Sequence, residues 1–376
     1  MSLKAAQQDN TKFLDTITCH AFNKDRSQVA LCPNNTTIEI YETKGQTDAR
    51  NWVKTHTLTE HSGLVSDLDW EPDTNRILSC GHDRNAYVWN FVNGEWKPTL
   101  CVLRINRAAI AAKWSPHGKK FAVTSCSKTV PVCFYEASSD WWVSRIVKKH
   151  RSTIVDCAWS PNSRFLLTAS TDFKCRIVSA YDDKLDTKDA DYDSIFGEPQ
   201  YQFGEVLAEY EDAKGWVNCV AWSPNGKRVC FFGHGSTAHF IDLDKDAKAV
   251  QTIYSDKLPM LQCTFIDDNT VVAAGFDNNP AIYVYKNGEW AFKEFFQKES
   301  DSKASAAGPV SASSAAFARF AAADSQGQKF GETKKVTAFT THQAQINNLK
   351  FNHKGTVFTT SGIDGRVETW DAKKFM

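Results

Sequence analysis

The stretch VSDLDWEPDTNRILSCGHDRNAYVWN, residues 65–90, has the pattern of a small antiparallel sheet. An apolar strand ends at the aromatic residue Trp70, and a turn containing Pro72 leads into a second apolar strand. A polar turn around Asp83 then precedes a third strand that ends near Trp89. Short apolar runs bounded by Pro, Asn, Asp and Gly are typical of strands joined by tight turns. The stretch therefore predicts three consecutive strands of one sheet.

The same plan recurs along the chain. Clear copies occupy residues 110–136, 154–180, 216–242 and 346–371, and weaker copies occupy residues 17–42 and 261–285. The aromatic residue that ends the first strand recurs as Phe22, Trp70, Trp114, Trp159, Trp222, Phe265 and Phe351. Four of the six intervals are 43–48 residues long, close to the period of about 40–45 residues of four-stranded propeller blades. The repeat predicts an all-β chain, with residues 1–376 forming a single seven-bladed β-propeller.

A fourth strand in each blade is indicated by Asn-Gly turns. VNGEW (residues 92–96) and KNGEW (residues 286–290) place such a turn directly before a Trp, which is a strong signal for a β-hairpin. The last repeat ends at Trp370 and leaves six residues, too few for an outer strand. We therefore expect residues 10–17 to close the ring as the outer strand of the last blade, because closure removes exposed sheet edges.

The two longest intervals contain insertions. The first, residues 182–212, lies in a loop or outer strand and joins an acidic run to an aromatic run. The second, residues 298–332, is rich in Ser and Ala, and includes SASSAAFARFAAADSQGQ at residues 311–328. Phe317 and Phe320 are one helical turn apart, which predicts a short amphipathic helix at about residues 313–324 in a flexible, protruding insertion. The two rings would either dock into a partner's groove or fold onto the propeller itself, and their spacing leaves both alternatives open.

Composition excludes several classes of function. The chain has 44 basic and 44 acidic side chains, so no global charge favours nucleic acid or an anionic membrane. No run of about 18 apolar residues predicts a membrane span, and the polar N-terminus does not resemble a signal peptide. The eleven cysteines lack CxxC pairs or His partners at metal spacing, which favours reduced, buried thiols. We expect a cytoplasmic protein without metal or cofactor.

Ser, His and Asp recur at fixed spacing. His61, Ser79, Asp83 and Trp89 match His342, Thr360, Asp364 and Trp370, and His150, Thr168 and Asp172 match in part. A single such set would suggest a hydrolase triad. Because the set recurs with the repeat, we interpret it as a structural tetrad rather than a catalytic site. Motifs of nucleotide, zinc and hydrolase sites are absent, so we expect no catalytic residues and no enzyme.

The tetrad also predicts which residues share a face. Residues beside the Asp turn and the His loop lie at the same end of the ring, and this places several cations together. They are Arg84, Arg107, Lys128, Arg151, Lys174 and Arg366. This rim predicts an acidic partner segment. The alternative is a set of ordinary solvated turn charges.

Several strings beyond the repeat resemble one family. They are DRNAYVWN (83–90), WKPTLCVLRINRAA (96–109), DWWV (140–143) with KKHRSTI (148–154), DFKCRIVSAY (172–181), and QFGEV (202–206) before GWVNCVAWSPNGKRV (215–229). They are similar to the WD40-propeller subunit family, subunit 1, of the actin-related protein 2/3 complex, and the resemblance runs from the first blade to the last. The tetrad likewise resembles that of WD40 repeats, which implies that the Asp accepts from the His and that the His bonds onward to the hydroxyl.

The resemblance implies a non-catalytic subunit of a hetero-oligomer that nucleates actin filaments as branches on a mother filament. It implies contacts with the other subunits, the actin filament and acidic nucleation-promoting factors, within the actin cytoskeleton. It assigns actin docking to Phe317, Arg319 and Phe320, and places Arg107, Arg151, Lys174 and Arg176 on a basic surface. The alternative is a free-standing WD40 adaptor that binds an acidic or modified peptide.

Overall fold

Seven antiparallel sheets make up the described part of the chain. The computed structural model describes residues 12–186, 196, 201–296, 341–351, 356–373 and 375. Six sheets have four strands, and the last has three strands within these residues. Each sheet is built from consecutive strands, so it forms one propeller blade and the predicted seven-bladed fold is confirmed.

The blades follow one another along the chain. Blade 1 contains β1 (Cys19–Phe22), β2 (Gln28–Cys32), β3 (Ile38–Glu42) and β4 (Val53–Leu58). Blade 2 contains β5 (Val65–Glu71), β6 (Arg76–Gly81), β7 (Ala86–Val92) and β8 (Glu95–Cys101). Blade 3 contains β9 (Ala109–Trp114), β10 (Lys120–Ser125), β11 (Val130–Glu136) and β12 (Trp141–Val147). Blade 4 contains β13 (Ile154–Trp159), β14 (Phe165–Ser170), β15 (Cys175–Ser179) and β16 (Val206–Tyr210).

The remaining blades complete the ring. Blade 5 contains β17 (Val217–Trp222), β18 (Arg228–Gly233), β19 (Thr237–Asp242) and β20 (Val250–Tyr254). Blade 6 contains β21 (Met260–Asp267), β22 (Thr270–Gly275), β23 (Ala281–Lys286) and β24 (Glu289–Phe295). Blade 7 contains β25 (Ile346–Phe351), β26 (Val357–Gly362) and β27 (Val367–Asp371). Short helical turns occur at Ala49–Asn51, a 3-10 helix, and at α1 (Leu243–Asp246).

Local chemistry explains the outer hairpins. In the turn between β7 and β8, Asn93 and Gly94 have φ of 53° and 86°. Asn287 and Gly288, between β23 and β24, have φ of 56° and 92°. Two successive positive φ values define the type I′ turn, whose twist matches that of the flanking strands. The Asn-Gly pairs therefore fix the register of these outer strands.

The first strands of the blades surround a central channel. Each first strand contacts the first strand of the next blade, and β25 contacts β1, so the ring is closed. All seven blades contribute to a cavity of about 650 Å³ in this channel. Carboxylates of β5 also bind the backbone of β9 in the next blade. Asp67 accepts a hydrogen bond from the N–H of Ala112 at 3.1 Å, and Asp69 accepts one from the N–H of Trp114 at 2.8 Å. Neighbouring blades are thus linked by carboxylate-to-backbone hydrogen bonds, which are stronger than neutral ones.

The hydrophobic core is distributed between the blades. Seven clusters of buried apolar side chains occur among the described residues, and each joins two neighbouring blades. Between blades 4 and 5, for example, Phe165 stacks on Trp222 with a ring distance of 6.4 Å. A blade buries apolar side chains on both faces, so it needs a neighbour on each side.

The seam between blades 7 and 1 differs from the other six interfaces. Its cluster takes Val367 from blade 7, and Phe13, Leu14 and Ile17 fill the remaining space. The N–H groups of Phe13 and Leu14 donate to the carbonyl of Gly365 at 3.0 Å, and that of Ile17 donates to Gly362 at 3.2 Å. The N-terminal segment therefore closes the ring by packing on the last blade.

The predicted strand at residues 10–17 needs correction. Residues 12–17 form no strand and instead make up the loop that leads into β1, because they bond to the turn before β27 rather than along its edge. Residues 10 and 11 lie outside the described residues. Gly365 has φ of 74°, and a Cβ there would lie 1.6 Å from the Leu14 oxygen. The segment thus passes too close to this turn for any residue except glycine.

His20 forms a second connection across the seam. It lies on β1 and is fully buried, with Nδ1 2.8 Å from Ser361 Oγ and Nε2 2.8 Å from Thr359 Oγ1 on β26. Burial, followed by the charge of Lys350, lowers the pKa of His20 well below its usual value. The neutral ring therefore bridges the two blades through one donor and one acceptor nitrogen.

The long connection between β15 and β16 packs onto the ring. Phe196 and Tyr201 contact the ring of Phe165 at 5.1 and 5.8 Å. Before them, Asp186 accepts a hydrogen bond from the buried ammonium of Lys120 at 2.5 Å. These contacts attach both described ends of the connection to blades 3 and 4.

Replacing His20 tests the seam. We expect His20→Phe to lower the free energy of unfolding by about 1–3 kcal/mol, because the buried hydroxyls of Ser361 and Thr359 lose their hydrogen bonds to the histidine. Urea denaturation of the full chain measures the change. His56→Phe on β4, an outer strand, serves as the control and should change stability by less than about 1 kcal/mol. Equal effects of the two variants would contradict the role of His20.

Candidate functional site

One end of the ring is the candidate interaction surface. In blades 2, 4 and 7 the start of the first strand pairs with the end of the second, as Val65 pairs with Gly81. The loop entering a blade and the turn after its second strand therefore lie at the same end. We call this end, formed by these loops and turns, the tetrad face.

Blade 2 carries a complete network beneath the tetrad face. His61 Nδ1 lies 2.8 Å from Asp83 Oδ2, and His61 Nε2 lies 2.8 Å from Ser79 Oγ. Trp89 Nε1 donates to the same hydroxyl at 2.9 Å. Because the Asp83 carboxylate can only accept, the proton of the neutral His61 ring sits on Nδ1, and Nε2 accepts from the Ser79 hydroxyl. Burial lowers the pKa of His61, and Asp83 partly opposes this shift.

Blade 7 repeats this network. His342 Nε2 lies 2.8 Å from Thr360 Oγ1, and Trp370 Nε1 donates to the same oxygen at 2.8 Å. His342 Nδ1 lies 3.1 Å from Asp364. Burial acts to raise the pKa of Asp364, but the hydrogen bond with His342 outweighs it together with other contacts, so the pKa is lowered. Ser79 and Thr360 are fully buried, so neither hydroxyl can reach a substrate. The geometry supports blade stability and offers no nucleophile.

In blade 4, Val178 stands at the position of the tryptophan, and the network is completed by Arg176, at the position of Tyr87. Arg176, 3% exposed, donates to His150 Nδ1 at 2.9 Å and to Asp172 at 2.9 Å. His150 Nδ1 is therefore an acceptor, and its proton lies on Nε2, 3.3 Å from Thr168 Oγ1. This is the opposite tautomer to that of His61. Burial and then Arg176 lower the pKa of His150 to about 4.

Four cations of the sequence analysis are exposed on the tetrad face. Arg84 and Lys128 lie in turns after the second strands, and Arg107 and Arg151 lie in entering loops. The N–H of Arg107 donates to Ser127 Oγ at 3.0 Å, and that of Arg151 donates to Asp172 at 2.9 Å. Their backbones are thereby fixed to the adjacent turns. Among the described residues, none of the four side chains has a carboxylate partner.

The other three predicted cations are engaged within the protein. Arg176 is buried, as described above, and also donates to Glu209 at 2.7 Å. Lys174 pairs with Glu209 at 2.5 Å and with Glu211. Arg366 is 9% exposed beside Asp364. Arg176 and Arg366 therefore do not belong to an exposed basic surface, and the charge of Lys174 is largely balanced.

Exposed apolar side chains on the same face were not among the predicted site residues. Phe173 and Trp216 are 49% and 51% exposed, and Leu64 and Val102 are also exposed. Trp216 contacts the ring of His234 at 5.4 Å. The string TDFK (171–174) contains one sequence signal for this surface: Phe173 is an aromatic residue at a turn position where Gly or Asn is usual.

Other site types find no support in the described residues. No group of three or more His, Cys, Asp or Glu side chains is arranged to hold a metal ion there. No helix in that part of the chain is long and apolar enough to cross a bilayer. Phe317, Arg319, Phe320 and the predicted helix at 313–324 lie outside the described residues.

Comparison with known proteins adds two findings. The family described as WD domain, G-beta repeat matches residues 52–90, 141–179, 204–242 and 333–371. These matches end in the third strands of blades 2, 4, 5 and 7.

Full-length relatives share one description. Actin-related protein 2/3 complex subunit 1A of Arabidopsis thaliana is 37% identical over 371 residues, covering 96% of each chain. Subunit 1A-B of Xenopus laevis is 39% identical over 96% of this chain and 95% of its own. Subunit 1 of Schizosaccharomyces pombe is 33% identical over 93% and 95%, respectively.

Two arginines of the tetrad face should differ sharply on substitution. We expect Arg176→Met to lower the free energy of unfolding by about 3–5 kcal/mol, because Asp172 would lose its buried counter-charge. Arg151→Met is the matched control and should change the free energy of unfolding by less than about 0.5 kcal/mol, since the Arg151 side chain is exposed. Urea denaturation measures both. An Arg176→Met protein as stable as the wild type would show that the buried pair is dispensable.

Acidification should destabilise the ring through its buried histidines. Burial lowers the pKa of His239 to about 4, so the unfolded chain takes up a proton near pH 6.5 that the folded chain takes up near pH 4. The contribution of His239 is complete above pH 6.5 and is lost as the pH falls toward 4. We expect the loss between pH 7 and pH 5 to be about 1–2 kcal/mol smaller in His239→Gln than in the wild type.

Urea unfolding at the two pH values measures this difference. Asp156, whose pKa burial raises to about 7, opposes the trend. It does so equally in both proteins, so the difference isolates His239. An identical pH dependence in wild type and variant would exclude His239 as a contributor.

Proposed function

Because this chain belongs to the family of actin-related protein 2/3 complex subunit 1, we propose that it is a scaffold and regulatory subunit of that complex. It would act without catalysis, supporting nucleation of actin filaments as branches on the side of a mother filament. The single observation behind this proposal is identity of 33–39% over nearly the full length of both chains. Identity of that extent spans the blade surfaces and loops as well as the repeat.

The fold agrees with a role in assembly. A closed ring presents many separate loops and outer strands, which suits simultaneous contact with several partners. The hydroxyls that resemble catalytic groups are consumed by buried networks. The partners would be the other subunits of the complex, the actin filament and nucleation-promoting factors, and the setting would be the cytoplasmic actin cytoskeleton.

The insertion at residues 298–332 is proposed to contact actin. The support comes from the sequence: Phe317 and Phe320 fall on one helical face beside Arg319, and the family resemblance gives the insertion this role. The four exposed cations of the tetrad face are proposed to receive acidic segments of partner subunits or activators. Their support is exposure without a carboxylate partner among the described residues.

Assembly is the first test of this proposal. In size-exclusion chromatography of cell extract, we expect nearly all of the protein to elute in one large stoichiometric complex. A mainly monomeric pool with transient partners would instead support the free-standing adaptor. The reconstituted complex should branch actin filaments, and a complex lacking this chain should not.

The insertion is tested within that reconstituted complex. We expect Phe317→Ala with Phe320→Ala to leave assembly intact and to reduce branch formation on preformed filaments. Tyr254→Ala, which removes an aromatic side chain 79% exposed on the outer strand of blade 5, is the matched control. Full branching by the double variant would contradict docking. A lower melting temperature with unchanged branching would also contradict it, because it would mean that the two rings pack on the propeller.

A further inference from the structure

The wall of the central channel contains a buried carboxylate oxygen that the described chain leaves unpaired. Asp156 lies on β13, lines the cavity of about 650 Å³ and is only 4% exposed. Its Oδ2 accepts a hydrogen bond from the backbone N–H of Val220 on β17 at 3.1 Å. Its Oδ1 is buried and has no hydrogen-bond partner among the described residues. A buried carboxylate oxygen without a donor is unfavourable, so Asp156 is a candidate ligand contact.

The corresponding carboxylate of blade 2 shows which partner such a group takes. Asp67 and Asp156 both lie three positions before the Trp that ends the first strand. Asp67 Oδ2 accepts from the backbone N–H of Ala112 in the next blade at 3.1 Å, just as Asp156 accepts from Val220. Asp67 Oδ2 also accepts from the ammonium of Lys113 at 2.9 Å. An ammonium group therefore completes this carboxylate in blade 2.

The blade that follows Asp156 supplies no such ammonium. Lys113 directly precedes Trp114, whereas the residue that directly precedes Trp222 is Ala221. The same hydrogen bond between carboxylate and backbone thus forms between blades 4 and 5, but Ala221 brings no charge to it. Burial raises the pKa of Asp156 to about 7, as expected for a carboxylate whose charge is poorly compensated.

The other cations of the cavity wall have contacts of their own. The ammonium of Lys350 lies 3.1 Å from a carboxylate oxygen of Asp69. Lys24 pairs with an aspartate at the mouth of the cavity at 2.6 Å, and Arg26 lies over an aromatic ring at 4.0 Å. Within the described residues, no group of three or more His, Cys, Asp or Glu side chains could hold a metal ion here. The partner that suits Asp156 is therefore an organic cation.

The rest of the wall suits the alkyl part of such a cation. Its aromatic side chains include four tryptophans that end first strands, Trp70, Trp114, Trp159 and Trp222. The faces of indole rings bind alkyl chains and cations. A cavity of about 650 Å³ has the size of a small-molecule site. The turns that follow the first strands also line it, so it lies toward the end of the ring opposite the tetrad face.

We propose that the central channel binds an alkylammonium group, with Asp156 Oδ1 as the acceptor and the tryptophans around the alkyl chain. The ammonium pairs with Asp156 as that of Lys113 pairs with Asp67. The group belongs either to a free amine or to a lysine side chain of an inserted polypeptide segment, since both present the same chemistry. This inference goes beyond the proposed function and does not depend on it.

Titration of the full chain with n-butylamine, followed by ligand-observed NMR, tests the site. At neutral pH this probe is an alkylammonium ion, and we expect saturable binding to the wild type. Asp156→Asn keeps an acceptor for Val220 and removes the charge, so it should weaken binding about tenfold or more. Its melting temperature should not fall, because a poorly compensated buried charge is removed. The uncharged probe n-butanol should bind the wild type about tenfold more weakly than the amine.

A second variant supplies the ammonium from the chain itself. Ala221→Lys places a lysine at the position of Lys113, and we expect it to pair with Asp156, raise the melting temperature and block n-butylamine. The matched control is Asp25→Asn. Asp25 is an exposed carboxylate at the same end of the ring and outside the cavity wall, so binding should be unchanged. The result for Asp156→Asn decides the inference even if Ala221→Lys does not fold.

Two further probes distinguish the sources of the ammonium. They are putrescine and a peptide of glycine and serine with one central lysine. Tighter binding of putrescine than of n-butylamine identifies a free amine, and tighter binding of the peptide identifies a polypeptide segment. Either result supports the site, provided that Asp156→Asn weakens it.

Several results would overturn the inference. They are the absence of saturable amine binding to the wild type, wild-type affinity in Asp156→Asn, and equal weakening by Asp25→Asn. Equal affinities for n-butanol and n-butylamine would also overturn it, because the cavity would then select only the alkyl chain.

Discussion

The need of every blade for a neighbour on each side governs this structure. Within the described residues the blades share no backbone ladder, so seven apolar clusters and scattered hydrogen bonds hold them together. Six clusters join blades that follow one another in sequence, and their formation needs only local order. The seventh must join the two ends of the described chain. Val367 alone does not fill this interface, and the remaining apolar contacts and hydrogen bonds come from Phe13, Leu14, Ile17 and His20. The closed ring therefore depends on these residues.

The buried polar networks are secondary to this packing. Blades 2 and 7 use His, Asp, hydroxyl and Trp, whereas blade 4 reaches a satisfied network with Arg176 and the opposite histidine tautomer. In blade 5, Phe231 takes the place of the hydroxyl residue of other blades, and the ring of His239 stacks on it with a distance of 4.4 Å between the ring centres. Each solution pairs its buried donors and acceptors, which is the physical requirement. The identity of the residues is free as long as that requirement is met.

The sequence was sufficient for the fold because the repeat encodes both strand spacing and turn chemistry. It was less informative about surfaces. Arg176 has the appearance of a surface cation in the string DFKCRIVSAY, yet His150 and Glu209, from two distant segments, complete its burial. Residues 12–17 contain the apolar pattern of a strand, but those side chains fill a seam and the backbone forms a loop. In both cases the deciding neighbours are far away in sequence, so local periodicity carries no information about them.

The connection between His20 and Ser361 spans 341 positions of the chain. During synthesis on the ribosome, blade 1 must therefore wait for the last blade with one apolar flank uncovered. At about 5–20 residues per second, this interval lasts on the order of tens of seconds. A nascent chain with six blades is an open arc whose two end blades expose apolar surface. Such species associate with one another or bind chaperones. The demand that this ring places on the cell is thus greatest before its final blade emerges.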